Sequence, residues 1–354
     1  MKAESIQIAE SIFVDPTAFL NFGNPQTHKN MTIIPITLQD YKFINFISIK
    51  EAEKLDLIEV LETNSVNQLE VINKSNKQVL IPFGMTVHGG KQDRTIWEPI
   101  LIPPGEKHQV FSKQYTHPTH TNPPPQPHKY NIPAKCIEQS RWNFKNLQGF
   151  KSSNMRLHPN IAFDAISSAG QGAVWSEIQS YRSEMNYAAN LAPTQSYLDM
   201  TEKSQNKTEE FVKHFTNVQN QCGIACFINN EFIGIEFYAN PMAWNSMHTD
   251  VLNAFAIEAL RFKDKPLKEG EINYYDAFIK IMKQLHVEFS VREGVGLGDV
   301  VEINSNSTKK WRGITLVYDN MPIQFYLVSK RGGSSQNRRS HVLHFQTNIN
   351  NRIF

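Results

Sequence analysis

The spacing of apolar residues changes near residue 171, and this change constrains the fold more than any other feature. Upstream, runs such as 31–36 and 78–83 are rich in β-branched and aromatic residues. Downstream, Val174, Ile178 and Tyr181 recur at the spacing of one helical stripe. A β-rich half followed by a half with both helices and strands predicts an α+β fold.

The β-rich half is predicted to span residues 1–150 and to form an antiparallel sandwich or a barrel-like sheet. A helix-like patch covers 48–54. The predicted strands are 31–36, 41–49, 57–61, 67–73, 78–83, 96–102 and 132–137.

The mixed half is predicted to span residues 151–330 and to pack with the first half as one compact unit. Asn229-Asn230 predicts a type I′ turn between two strands, and Asn240 followed by Pro241 predicts a capped helix start. The predicted helices are 172–185, 208–215, 241–261 and 274–285, and the predicted strands are 223–228, 232–238, 312–318 and 323–329. A basic tail, 331–354, would contain a final strand at 341–346.

The composition argues against some partners and locations for this chain. The chain has 354 residues with 36 basic and 34 acidic side chains, a formal net charge of +2, so nucleic acid is not a favoured partner. No apolar run approaches the ~18 residues of a membrane span, and the first residues do not resemble a signal peptide. Cys136, Cys222 and Cys226 are expected to be buried free thiols, so we expect a cytoplasmic protein.

Residues 88–95, HGGKQDRT, are the strongest candidate for a binding site. Two adjacent glycines let the backbone turn closely and present amide groups to an anion. Lysine and arginine could clamp phosphate or carboxylate, while glutamine and aspartate could bind a base or a ribose hydroxyl. The alternative is a tight hairpin or β-bulge with solvated charges. The candidate residues are His88, Gly89, Gly90, Lys91, Gln92, Asp93 and Arg94.

A second candidate segment, 138–142, could join the first if their strands pair. Glu138 and Arg141 would then meet Lys91 and Arg94, and Trp142 could stack on a base. The alternative is a structural Arg–Glu network beside a core tryptophan.

Two further motifs have weaker interpretations. The Pro/His-rich segment 115–131 is predicted to be a surface loop, where His117, His120 and His128 could hold a metal or the prolines could dock on a partner. The glycines of 294–299, GVGLGD, could form a phosphate loop, but tight turns leading into a strand are the favoured interpretation.

Several segments occur in an order that resembles a known family. They are 79–95 (VLIPFGMTVHGGKQDRT), 132–142 (IPAKCIEQSRW), 171–178 (QGAVWSEI), 221–238 (QCGIACFINNEFIGIEFY) and the stretch from 294 (GVGLGDVV). Together they resemble the ARG and rhodanese-phosphatase-superfamily-associated protein domain, a prokaryotic domain of unknown function, over residues 28–330.

The resemblance implies a role near nucleotide or ADP-ribose metabolism, in stress or phage defence, but no catalytic mechanism. Relatives carry an acidic Asp-Gly-Glu stretch before the glycine-lysine-glutamine motif, where this chain has Phe83-Gly84-Met85. A function that depends on those acids would be lost here. The segment 115–131 also resembles an insertion.

Three functions remain open, and no cofactor is assigned. The first is a non-enzymatic ligand-binding or interaction protein that senses a nucleotide or an ADP-ribose-like molecule. The second is a hydrolase or transferase on such a substrate, with Asp93 or Glu138 as the base and phosphate held by Lys91, Arg94 and Arg141. The third is an assembly protein whose proline-rich loop and basic tail contact other subunits. The expected partners are a small anionic ligand, a protein, or a second copy of the chain.

Overall fold

The α+β prediction is confirmed, with a β-rich N-terminal half that contains a closed barrel. The computed structural model describes residues 2–39, 44–63, 65–105, 128–139, 149–166, 170–185, 196–264, 272–305 and 311–330. The described helices are α1 Lys2–Val14, α2 Ile49–Lys54, α3 Pro159–Ile166, α4 Gly170–Glu184, α5 Tyr197–Val212, α6 Pro241–Arg261 and α7 Tyr274–Gln284. None of these helices is both long enough and apolar enough to cross a bilayer.

The described strands belong to three sheets. In chain order, the first nine are β1 Leu20–Phe22, β2 Gln26–His28, β3 Met31–Leu38, β4 Phe46–Ser48, β5 Ile58–Glu62, β6 Gln68–Asn73, β7 Gln78–Ile81, β8 Met85–Gly89 and β9 Arg94–Ile96. The others are β10 Ile100–Ile102, β11 Lys129–Cys136, β12 Phe150–Arg156, β13 Gly223–Ile228, β14 Glu231–Tyr238, β15 Glu288–Glu293, β16 Asp299–Ser305, β17 Trp311–Tyr318 and β18 Met321–Ser329.

A closed six-stranded barrel occupies the first half of the chain, in the order β11-β6-β5-β12-β8-β9. Its pairings are all antiparallel, and its lumen is filled by apolar side chains such as Leu69, Val71 and Val87. A separate three-stranded sheet, β10-β7-β4, lies outside the barrel. The predicted strand at 96–102 is therefore wrong as one element. It divides into β9 and β10 around Pro99, which has no amide hydrogen to donate.

The nine-stranded sheet combines strands from both ends of the chain. Its order is β1-β3-β13-β14-β18-β17-β16-β15, and β2 also pairs with β3. The pairing of β3 with β13 places Ile36 opposite Gly223. The sheet therefore draws on residues from both sides of the predicted boundary at 150, and the barrel strands are inserted between β3 and β13.

Helices cover both faces of this sheet. Ile33 of β3 packs in the large core that includes the barrel and α6, whereas Ile34 packs in a second core with Phe13 of α1 and Phe278 of α7. Burial on both faces explains why β3 is a nearly continuous apolar run and does not alternate.

Local signals in the mixed half are confirmed. Asn229 and Asn230 have φ angles of 50° and 62°, as a type I′ turn requires. The Asn240 side chain accepts a hydrogen bond from the Met242 amide at 2.8 Å, at the start of α6. The helix predicted at 208–215 is wrong in its bounds, because α5 begins at Tyr197 with Ser196 as its N-cap.

A buried polar seam joins the barrel to the sheet and the helices. The Arg156 guanidinium, at the end of β12, lies 2.7 Å from Glu236 Oε1 of β14. Next to it, His158 Nδ1 lies 2.5 Å from Glu258 Oε1 of α6, which also accepts from Arg261 at 3.2 Å. Burial would raise the pKa of Glu258, but Arg261 and His158 outweigh burial and hold it at about 2.

Candidate functional site

The predicted glycine turn connects the adjacent barrel strands β8 and β9. Gly89 and Gly90 have φ angles of 134° and 47°, which other residues rarely adopt. A Cβ on Gly89 would lie 2.3 Å from the Gly149 carbonyl oxygen, and one on Gly90 would lie 2.2 Å from the Phe150 ring. Both glycines are therefore required by close packing against the start of β12.

Arg94 lies on the lumen face of the barrel, at its end. It stands opposite Val87 of β8 and Cys136 of β11, and directly opposed residues share a face. Val87 belongs to the apolar core, and the Arg94 side chain is fully buried. Its guanidinium donates to the Gln92 backbone oxygen at 3.2 Å and to Gln92 Oε1 at 3.1 Å.

Asp93 is the centre of a chain of polar contacts. The Asp93 carboxylate is fully buried, with Oδ1 2.9 Å from His88 Nδ1. Its second oxygen accepts from the Ser196 hydroxyl at 3.0 Å. The Asp93 amide donates to Glu138 Oε2 at 3.0 Å, and the Gln92 side chain donates to the Glu138 backbone oxygen at 2.8 Å. Glu138 therefore meets the segment 88–94 through Gln92 and Asp93, whereas the sequence predicted its contacts with Lys91 and Arg94.

Three basic side chains surround this end of the barrel. The His88 side chain is 41% exposed, and Lys151 stands opposite it on β12 as an exposed residue. Lys91 is half-buried, and its amide donates to Glu62 Oε2 at 3.1 Å. Positive charge at the rim thus adjoins the buried Arg94, although Asp93 and Glu138 place negative charge nearby.

Two residues of the cluster were not predicted from the sequence. Ser196 bonds Asp93 from the N-cap of α5, and the pattern of a serine with Asp199 three residues later was a usable signal for that cap. Gln171 of α4 accepts a hydrogen bond from the Cys136 amide at 3.0 Å, and its side-chain amide donates to the Cys136 carbonyl oxygen at 2.6 Å. Burial raises the pKa of the Cys136 thiol, and the nearby Arg94 charge opposes this.

The other predicted site residues are not seen in this cluster. Arg141, Trp142, His117 and His120 fall outside the described residues. His128 packs on Tyr130 with ring centroids 4.5 Å apart, and the described parts of the chain contain no group of three or more side chains able to hold a metal.

The remaining glycine motif and the departure from the family have structural explanations. Residues 294–298 form the turn between β15 and β16, as favoured from the sequence, and Gly296 closely approaches the Leu101 carbonyl. Phe83 and Met85, which stand where the resemblance led us to expect acids, are fully buried apolar residues.

The fold and this cluster define an α+β protein in which a closed barrel carries a buried polar cluster at one end. The chain belongs to the ARG and Rhodanese-Phosphatase-superfamily-associated Protein domain family, whose model matches residues 19–112 and 124–328. The unmatched residues 113–123 largely fall within the Pro/His-rich segment. No curated protein matches the chain, and neither does any solved structure.

Proposed function

We propose that this protein binds a small anionic ligand of the nucleotide or ADP-ribose type at the end of the barrel that carries Arg94. Barrel mouths are common ligand sites, with apolar walls and a few convergent polar groups. The family name supports the choice of ligand class only by analogy.

The observation that carries the proposal is the position of Arg94. A guanidinium buried inside a barrel has lost its hydration, which is costly unless charged or polar partners compensate. The contacts with Gln92 orient the planar group, which can also bind a phosphate with two parallel hydrogen bonds. Lys91 and Lys151 lie at this end of the barrel, and their charge would attract anions.

The first experiment is mass spectrometry of small molecules released from the purified protein, followed by calorimetric titration with phosphate, AMP and ADP-ribose. We expect binding of at least one compound, weakened about tenfold or more by Lys91→Ala, because a rim charge is lost. Lys77→Ala is the matched control, since Lys77 is exposed on another part of the surface. An empty protein that binds none of these compounds, or equal affinities for Lys91→Ala and the parent, would refute the proposal.

A second candidate, a hydrolase or transferase, is favoured by the contact between His88 and Asp93. A buried carboxylate 2.9 Å from Nδ1 can hold an imidazole in one orientation and stabilise its protonated form, as general bases require. The geometry favours the half-exposed His88 as base over Asp93 or Glu138, because both carboxylates accept hydrogen bonds from protein donors.

The enzyme candidate is tested by turnover of whichever compound binds. We expect His88→Gln to abolish turnover while retaining binding, and Asp93→Asn to lower kcat with a shifted pH profile. His248→Gln is the control, because His248 is a half-buried residue of α6 whose ring nitrogens bond the Asn245 carbonyl oxygen and the Thr249 hydroxyl of the same helix. Unchanged turnover in His88→Gln would exclude this role for His88.

A further inference from the structure

We propose that two copies of this chain form a two-fold dimer by pairing their β15 strands edge to edge. β15 lies at the end of the nine-stranded sheet and, among the described strands, pairs only with β16. The other side of this six-residue strand can therefore accept a strand from a second chain. The dimer would join two nine-stranded sheets into one.

Symmetry restricts how the two strands can align. A two-fold axis between antiparallel edge strands stands perpendicular to the sheet, so each face continues across the junction. Directly opposite residues share a face, so a residue can oppose only residues of its own alternation class. Glu288, Ser290 and Arg292 are exposed on one face, whereas Phe289 and Val291 are half-buried against α1 on the other.

The alignment centred on Ser290 makes the two pairs on either side of it complementary, and it places Glu293 opposite Val287, just before β15 begins. Glu288 then lies opposite Arg292 of the second copy, and Phe289 lies opposite its Val291, and symmetry repeats each pair. An alignment centred on Val291 would instead place Phe289 opposite Glu293. Opposite charges and aromatic–aliphatic pairs each stabilise a ladder by about 0.2–1 kcal/mol, so the sequence of β15 favours the alignment on Ser290.

The charges of β15 are compatible with pairing, although charge on an edge strand often prevents it. Natural edge strands often carry charge to prevent pairing, but alternating charge prevents wrong alignments and permits the complementary one. Arg292 already contacts Glu98 Oε2 at 2.5 Å and lies 3.7 Å from Glu302 Oε1, yet its side chain remains 44% exposed. A guanidinium has five N–H donors, so Arg292 can keep Glu98 and also meet Glu288 of the second copy.

A neighbouring groove would enlarge the interface beyond one strand pair. It has a volume of about 450 Å³ and is lined by α1, the end of α7 and the start of β15, including Phe13, Val14 and Leu285. In the proposed alignment the turn that follows Glu293 of the second copy runs alongside residues 285–287. Val14, which is 67% exposed, lies at this groove. Specific interfaces bury more than about 1,000 Å², which the strands alone would not supply.

Cysteine cross-linking tests the alignment. Opposite residues in antiparallel strands have Cα atoms about 4.5–5.5 Å apart, within the range that a disulfide spans. The native cysteines are all buried, so a new thiol on the surface would react selectively. Under mild oxidation of the full-length protein at micromolar concentration, we expect Ser290→Cys to give a covalent dimer. Ser176→Cys, an exposed position on α4, should remain a single chain. Equal cross-linking of both variants would overturn the proposal.

Charge exchange provides a second test that does not depend on cysteine chemistry. The parent should sediment as a dimer at micromolar concentration, and Glu288→Arg should weaken association at least tenfold because like charges would then be opposed. Arg292→Glu should do the same, and a mixture of the two variants should form mixed dimers because both pairs become complementary. A parent that sediments as a single chain, or a Glu288→Arg variant that dimerises like the parent, would refute the proposal.

Discussion

Lys135 is a buried lysine whose pKa reflects the cost of removing its charge from water. It lies on β11 with 3% exposure, and its ammonium stands 3.6 Å from the centroid of the Trp97 ring. It donates to the Ala165 carbonyl oxygen, near the end of α3, at 2.9 Å. Burial lowers the pKa of Lys135 to about 8 from its usual 10.5, so these contacts compensate only in part for lost hydration.

This lowered pKa predicts a pH-dependent stability. Below pH 8 the amine is protonated in both states, and the folded state bears the full cost of the buried charge. Between pH 8 and 10.5 the unfolded state binds more protons than the folded one, so the parent gains stability as pH rises. Lys135→Met should lack this gain. The check is chemical denaturation of both proteins at pH 7 and 9.5, and a stability difference that does not change with pH would contradict it.

The candidate site illustrates what the sequence could not supply at the level of residues. The segment 88–94 was identifiable because two adjacent glycines, which allow a close turn, precede a lysine and an arginine. Its burial was not, because Arg94 and Asp93 look like surface residues until the barrel closes around them. The contact between Ser196 and Asp93 joins residues 103 positions apart, a separation that no local pattern encodes.

Among the elements, those with local signals were predicted and those that depend on distant partners were not. The β13–β14 hairpin and the start of α6 follow from turn and cap residues that act within a few positions. β15 and β12 were missed, because exposed or polar residues interrupt both strands and they form by pairing with β16 and β8.

The N-cap of α5 predicts a measurable coupling between an element and the site. Ser196 accepts from the Asp199 amide at 3.3 Å and donates to buried Asp93 at 3.0 Å. Ser196→Ala should therefore cost about 2–3 kcal/mol, a cap plus a bond to a buried charge. The control is Asn273→Ala, which removes the exposed cap of α7 and should cost about 1 kcal/mol. Denaturant titration gives both values, and equal losses would contradict the coupling.

At the scale of the whole molecule, the polar seam holds the barrel against the sheet. Arg156 bonds the Phe83 backbone of the barrel half and the Tyr238 hydroxyl of β14. Gln324 of β18 completes the link, because its side chain donates to Glu236 at 2.8 Å and accepts from the Phe83 amide at 2.8 Å. We therefore expect the barrel and the sheet to unfold together.

Removing one member of the seam tests this expectation. Arg156→Met would leave Glu236 buried without its cation and should cost about 3–5 kcal/mol. Lys213→Ala breaks an exposed ion pair with Glu210, 2.6 Å long, and should cost far less, because solvent screens the pair. Thermal unfolding followed by near- and far-ultraviolet circular dichroism would check both. Similar losses in the two variants would show that the seam contributes little.

The insertion of the barrel between β3 and β13 has a consequence for synthesis on the ribosome. β3 cannot pair with its neighbour β13 until the intervening barrel and helices have been translated. At ~5–20 residues per second this delay is roughly 10–40 s. Throughout it, β3 can pair only with the short strands β1 and β2, and its six consecutive side chains destined for burial lack the rest of the sheet. Nascent chains of this protein should therefore depend on chaperones that shield β-prone segments, and they should aggregate most readily when translation stalls before residue 223.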